Sequence, residues 1–309
     1  MASVEDSADL LLTDMCTAGP LLSVWPELIH ARPLVIRLRA DPWQTDANEE
    51  RRSRLQGFRR HSGRTLRKFY EQADALIPVS DYLGQRVCEE TGINGPKVQT
   101  IHEPVDLERF FPSPDREALK VALGLDHPLV VCVIFNFHYE DKVRGLEHFL
   151  PVLHALVKRH PEVAVAIAGG GRIHAEFVRA NEELLSHPRM IVTGFVEKVE
   201  QIYQCSDLCA HFSFFDALPR VIFEAWACGL PVVVNDHPAL RSTITGGVTG
   251  EVLSNEADPG GALPVLESLL FDAKYRDRIG ANGRQYVEQY ATCEVIGRQF
   301  MDLFHGVLK

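Results

Sequence analysis

Residues 213–235 read SFFDALPRVIFEAWACGLPVVVN, and their local logic decides the second half of the chain. Pro219 suits the first turn of a helix, and Gly229 suits the position just past a helix end. A short helix is therefore expected between them, followed at once by a strand from Pro231. Asp216 stands in the loop that feeds this helix, where the N-terminal amides and the helix dipole favour anions. Glu224 is the odd residue inside it. Its neighbours are Ile222, Phe223, Ala225 and Trp226, with Val221 three before and Cys228 four after. A carboxylate among apolar side chains is costly unless donors reach it, and a ribose diol carries two. A surface glutamate on an exposed helix stripe is the alternative reading.

Upstream the pattern is that of alternating strands and helices. Residues 129–135 (LVVCVIF) form a continuous apolar run, as in a strand buried on both faces. Residues 145–159 suit a helix, and 163–168 a strand that ends in Gly169, Gly170 and Gly171. Further strands are expected at 190–193, 208–211 and 232–234. Beyond Pro259 the chain reads as helical, with Leu263, Leu266, Leu269 and Leu270 on one face. This alternation predicts an α/β fold with a doubly wound parallel sheet. The first third shows a smaller set, with strands at 9–12, 34–38, 75–79 and 98–101 and helices near 20–30, 48–72 and 81–91. Pro112 and Pro114 mark a linker. The expected division is a first lobe over 1–111, a second over 112–290, and a terminal helix over 291–309 that returns to the first.

Composition narrows the class. With 46% hydrophobic and 24% charged residues the chain has the balance of a soluble globular protein. No run approaches the roughly 18 apolar residues of a membrane span, and no basic stretch precedes the first apolar run, so a leader peptide is not expected. The seven cysteines are odd in number and scattered, which predicts free thiols in a reducing cytoplasm and no metal site. A net charge of −10 argues against nucleic acid as a partner. The charge is uneven, because Arg51 to Lys68 holds eight basic residues and no acid, leaving −18 for the remainder.

The block from Asp216 to Val234 resembles the retaining glycosyltransferases of family four, which have the GT-B fold of two Rossmann-like lobes. Their hallmark is two acids separated by seven residues, then a helix and an Ala-Cys-Gly-Leu-Pro-Val-Val-like strand entry. This chain has Asp216, seven residues, Glu224, and then ACGLPVVV. Asp216 departs from the usual Glu by one methylene. Arg144-Gly145 resembles the family's basic-Gly pair, with Lys142 just before it. Gly169–Gly171 resembles its Gly-Asp-Gly turn, and 193–196 (TGFV) the segment lining its base pocket. ADALIPVS at 73–80 and VDLERFFP at 105–112 match landmarks of the first lobe.

The resemblance implies a hexosyltransferase that moves a sugar from a UDP- or GDP-linked donor to a hydroxyl acceptor with retention of configuration. Asp216, Lys142 and Arg144 would serve catalysis, the two cations neutralising the leaving diphosphate. Glu224 would hold the ribose, with Ala217, Leu218, Pro219, Gly170, Gly171, Phe195 and His138 completing the donor site. No metal or other cofactor is implied. The Gly-Arg pair expected after the first strand is replaced by Phe135-Asn136-Phe137-His138, so Lys142 or His138 must stand in for that cation. On the acceptor side Arg39 and Asp41 replace the usual His. A non-catalytic nucleotide-sugar binder and a GT-B epimerase are the rival readings. Compared with the family, the first lobe is short, which leaves sheet surface to be covered by a second copy, a membrane or the terminal helix. Leu55, Phe58, Leu66 and Phe69 share a helical face within the basic stretch, and such a helix suits an anionic membrane surface.

Overall fold

Nine strands among the described residues form two all-parallel sheets, of three and six strands. The computed structural model describes residues 9–14, 32–43 and 63–309, with side chains from Arg67 in the last stretch. The basic stretch therefore lies mostly outside the described residues, as does the expected helix near 20–30. None of the described helices is long and apolar enough to cross a membrane.

One unit takes the described residues up to Glu103 together with Glu294–Lys309, and the other takes Pro104–Cys293. The boundary thus falls before the Pro112–Pro114 stretch. Phe110 is already built into the second unit, where its ring meets Tyr203 at 5.9 Å and its carbonyl accepts from Arg284.

In the first unit β1 (Leu11–Asp14), β2 (Leu34–Leu38) and β3 (Ala75–Pro78) pair in that order. The expected fourth strand is a single bridge from Val98 to Leu76, with Gln99 and Ile101 donating to Leu76 and Pro78 carbonyls. Pro78, at the end of β3, has no N–H to donate back to the Gln99 carbonyl, so the pairing does not extend into a ladder. Ser80 caps the Asp81–Thr91 helix by accepting from the Leu83 amide at 3.2 Å. The Cys293–Val307 helix lays Ile296 and Leu303 onto Val35, Ala75, Ile77 and Ile101. It covers one face of this small sheet.

In the second unit the strands are β4 (Leu129–Ile134), β5 (Val163–Ala168), β6 (Met190–Gly194), β7 (Leu208–His211), β8 (Val232–Asn235) and β9 (Glu251–Leu253). Their order is β6-β5-β4-β7-β8-β9. The chain winds outward from β4 in one direction and then from β7 in the other. Every residue of β5, β7 and β8 is buried, which is why they read as apolar runs, broken only by His211 and Asn235 at the ends of β7 and β8. The Glu140–Arg159 and Pro259–Phe271 helices supply Leu146, Phe149, Leu150, Leu266 and Leu269 to the core on one side. Each such side chain contributes about 1.5–3 kcal/mol by burial. All six cysteines in the described residues are free thiols, and burial pushes the Cys205 thiol up to about 12.

Candidate functional site

A sheet wound in this order has a crevice outside the carboxyl ends of the two strands where the winding reverses. Those strands are β4 and β7. Phe135, Asn136, Phe137 and His138 follow β4, and the loop carrying Ser213 to Asp216 follows β7.

The Asp216 carboxylate is 5% exposed. Lys142 Nζ donates to its Oδ1 at 3.2 Å, and His211 Nε2 faces its Oδ2 at 3.2 Å. Burial alone would push this carboxyl up, but the hydrogen bond from His211 and the Lys142 charge outweigh it and hold it below the usual range. Asp216 is therefore an ionised, fixed carboxylate at neutral pH.

Helix packing explains how Lys142 gets there. The Glu140–Arg159 helix crosses the loop after β7 so closely that a Cβ on Gly145 would lie 2.5 Å from the Phe212 carbonyl oxygen. One turn on, Phe149 stacks on Phe212 at 4.2 Å. Lys142, three residues before Gly145, lies on the same helix face. Arg144 lies off it and pairs with Asp141 of its own helix at 3.4 Å. Of the two expected cations, only Lys142 meets the acid.

Ala217, Leu218 and Pro219 are buried and lead into the Arg220–Ala227 helix, whose N-cap residue, Pro219, makes no side-chain capping bond. Glu224 lies on this helix with its side chain 13% exposed. Tyr203, wholly buried, donates its hydroxyl to Glu224 Oε2 at 2.9 Å, and Arg220 approaches Oε1 at 3.5 Å. Desolvation dominates these contacts and pushes the Glu224 carboxyl up.

The two acids therefore oppose one another in stability. Asp216, with its pKa lowered on folding, contributes stability above its unfolded value that is lost as pH falls through the folded one. Glu224, raised on folding, contributes stability below its unfolded value that is lost as pH rises through the folded one. At neutral pH the ionised Glu224 costs the fold free energy. Glu224→Gln keeps the Tyr203 bond and removes the desolvated charge. Its melting temperature at pH 7 without ligand should exceed that of the wild type, and the gain should vanish near pH 4. A lower melting temperature at pH 7 would contradict this account.

At the ends of β4, β5 and β6 lies a cavity of about 540 Å³, whose lining includes none of Asp216, Glu224 and Lys142. Its walls include Phe135, His138, Gly170, Gly171 and Phe195. Phe195 is 79% exposed and stands against Gly170, an apolar plate open to a planar ligand. His138 is exposed, and its Nδ1 faces the Arg172 amide at 3.5 Å while its carbonyl accepts from Arg172 Nε at 2.9 Å.

The acceptor-side residues belong to the first unit. Arg39 reaches Glu103 at 3.1 Å. Asp41 is buried, accepts from the Tyr82 hydroxyl and the Trp43 amide, and faces Arg86 at 3.5 Å. Asp41 is thus a carboxylate already engaged by three donors.

His211, Tyr203 and Arg172 escaped the sequence reading. His211 had a legible signal, since it ends an otherwise apolar strand (LCAH) five residues before Asp216. Tyr203 had none, because its contact with Glu224 spans 21 residues.

Comparison with known proteins gives these groups a context. The profile of the family described as Glycosyl transferases group 1 matches residues 121–286. A D-inositol 3-phosphate glycosyltransferase of Corynebacterium jeikeium is 24% identical over 245 residues, covering 75% of this chain and 58% of its own length. A GDP-mannose-dependent alpha-(1-6)-phosphatidylinositol monomannoside mannosyltransferase of Mycolicibacterium smegmatis is 28% identical over 261 residues. That match covers 78% of this chain and 64% of the relative. The chain thus spans less than two thirds of the length of either relative. Among solved structures, Anabaena HepE in complex with UDP superposes with a TM-score of 0.78 at 20% identity. It covers 96% of this chain and 78% of HepE.

Proposed function

The chain belongs to the glycosyl transferases group 1 family and has the GT-B fold, and from that premise we propose that it transfers a sugar from a nucleoside-diphosphate donor to a hydroxyl acceptor with retention of configuration. The observation that carries this reading is the Lys142–Asp216 pair at the crevice between β4 and β7, with Glu224 eight residues along the chain. The base would lie against Phe195 in the cavity, and the ribose hydroxyls would donate to Glu224. The diphosphate would meet Lys142 and the N-terminus of the helix behind Pro219.

In the reaction the bond from the anomeric carbon to the diphosphate breaks, and the diphosphate leaves with the electron pair. The acceptor oxygen bonds to the same face of that carbon, and its proton passes to the departing phosphate. Charge therefore grows on the diphosphate, and a fixed ammonium beside it stabilises the transition state more than the ground state. That assigns Lys142 the electrostatic work, and we expect turnover without a divalent cation.

The rival reading is a non-catalytic binder. Asn136 favours it, since no cation stands at the end of β4 where the family resemblance expects one. Thermal shift with UDP-, GDP- and ADP-sugars, followed by product analysis in chelator, separates the two, because a ligand selective for the folded state raises its stability. One donor is expected to shift the melt and to be consumed only with an acceptor. A shift without consumption leaves the binder, and no shift with any donor rejects both. Glu224→Gln and Asp216→Asn should each weaken the effect by roughly ten- to hundred-fold, the worth of a charge-assisted hydrogen bond.

A further inference from the structure

His211 has no part in the donor contacts described so far. It ends β7, is 5% exposed, and its ring stacks on Phe135 with centroids 5.4 Å apart. Nε2 faces Asp216 Oδ2 at 3.2 Å, while Nδ1 is buried with no hydrogen-bond partner among the described residues. The other Asp216 oxygen takes Lys142, whose side chain is 34% exposed. The three groups form a row from the interior to the crevice, with the cation at its outer end.

We propose that His211 is a positioning residue: it fixes the plane of the Asp216 carboxylate and, through it, the Lys142 ammonium at the place where an anionic group of a nucleoside diphosphate binds. The proposal rests on the donor-site reading and adds a residue to it. A carboxylate held by one donor can still turn about its own axis, whereas donors on both oxygens lock it. Phe135 holds the imidazole flat, so the ring cannot follow a turning carboxylate. A bare nitrogen lone pair facing a carboxylate oxygen would repel it, so Nε2 carries a proton and donates. The flexible four-carbon stem of Lys142 then ends on a fixed oxygen.

The orphaned Nδ1 makes the test clean. The ring has a single polar bond among the described residues, so a side chain that reproduces that bond reproduces its polar contribution. Glutamine carries an amide nitrogen at the reach of Nε2. Asparagine stops one bond short, and phenylalanine keeps the stacked ring without the bond.

The experiment is calorimetric titration with UDP and GDP of the full chain carrying His211→Phe, His211→Gln, His211→Asn, Lys142→Met and the Phe/Met double change. His211→Phe and Lys142→Met are each expected to weaken binding about ten-fold, and the double variant to bind no more weakly than Lys142→Met alone. Such non-additivity marks residues that act as one unit. His211→Gln should stay within about three-fold of wild type and His211→Asn should not. If His211→Phe does not fold, the Gln–Asn contrast carries the decision. Wild-type binding by His211→Phe, a full further loss in the double variant, or equal loss in the Gln and Asn variants would each overturn the proposal. Nitrogen-15 NMR of histidine-labelled protein, assigned by the missing signal in His211→Gln, should show Nε2 protonated. An unprotonated Nε2 overturns the assignment whether or not a nucleotide binds. If the wild type binds no nucleoside diphosphate, the donor-site reading fails instead, and the NMR result alone decides the role of His211.

Discussion

Lys142→Met is expected to lower kcat/KM for sugar transfer by about 10²–10³-fold, the usual cost of removing one preorganised charge partner of a developing anion. The loss should fall more on kcat than on KM, because the diphosphate gains charge as it leaves. The same change also strikes the fold. Asp216 keeps His211 but loses its ion-pair partner, and burial then pushes its carboxyl upward. A fully buried pair broken on one side costs about 3–5 kcal/mol. Lys142 is about a third exposed and solvent screens part of the charge, so about 1–2 kcal/mol is expected at pH 7. The sign of the pH dependence follows from linkage. Wild-type stability from Asp216 is present above about pH 4, its unfolded value, and is lost as pH falls through the lower folded value. The gap between wild type and variant should therefore close below about pH 4. Lys142→Arg should retain part of both effects. Kinetics together with melting curves from pH 3 to 8 check the account, and wild-type kcat/KM in Lys142→Met would remove Lys142 from the reaction.

The second sheet was legible at its centre because β4, β5, β7 and β8 are buried on both faces and leave largely apolar runs. The strands expected at 163–168 and 208–211 match β5 and β7 to the residue. β9 went unread, since its three residues EVL offer no period. In the first unit, the run at 98–101 carries the composition of a strand, but its amides donate to β3 at Leu76 and Pro78 while Pro78 has no N–H to return a bond. Nothing in composition separates that one-sided contact from a ladder.

The candidate site was legible where it is local. The spacing of Asp216 and Glu224 and the Pro-to-Gly span of the helix between them are written in one short stretch, and the helix closes as expected with Gly229 at φ 74°. Which basic residue faces the acid was not. Lys142 and Arg144 are two apart, about 200° around a helix, and only the contact at Gly145 says which side is inward. The missing piece was a tertiary distance. The same holds for Tyr203 and Glu224, where a buried hydroxyl from another helix satisfies the carboxylate that looked unpartnered in sequence.

Gly169→Ala is expected to be the most damaging single methyl in the second unit. Gly169 follows β5 with φ 143°, a conformation that side-chain-bearing residues rarely adopt. Its amide donates to the Gly194 carbonyl at 2.8 Å, so the turn is tied to the end of β6 and cannot swing aside. A Cβ there would lie 1.8 Å from the Phe135 carbonyl oxygen, and that carbonyl is backbone, with no rotamer to offer. Backbone strain of about 1–3 kcal/mol adds to overpacking of similar size, for a total of about 3 kcal/mol or more. The only relief is to move the end of β4 away from β5. Phe135 would move with it, and Phe135 both lines the cavity and holds the His211 ring. Loss of stability and loss of nucleotide binding should therefore appear together. Gly297→Ala supplies the contrast: it lies exposed in the Cys293–Val307 helix with nothing within 4 Å of the added methyl. There alanine should be neutral or stabilise by about 0.5–1 kcal/mol through helix propensity. Melting curves and UDP titration of both variants decide it. A Gly169→Ala protein that melts with the wild type and binds UDP as tightly would mean that the ends of β4 and β5 part without cost, and the account of Gly169 as a fixed turn against the Phe135 carbonyl would be wrong.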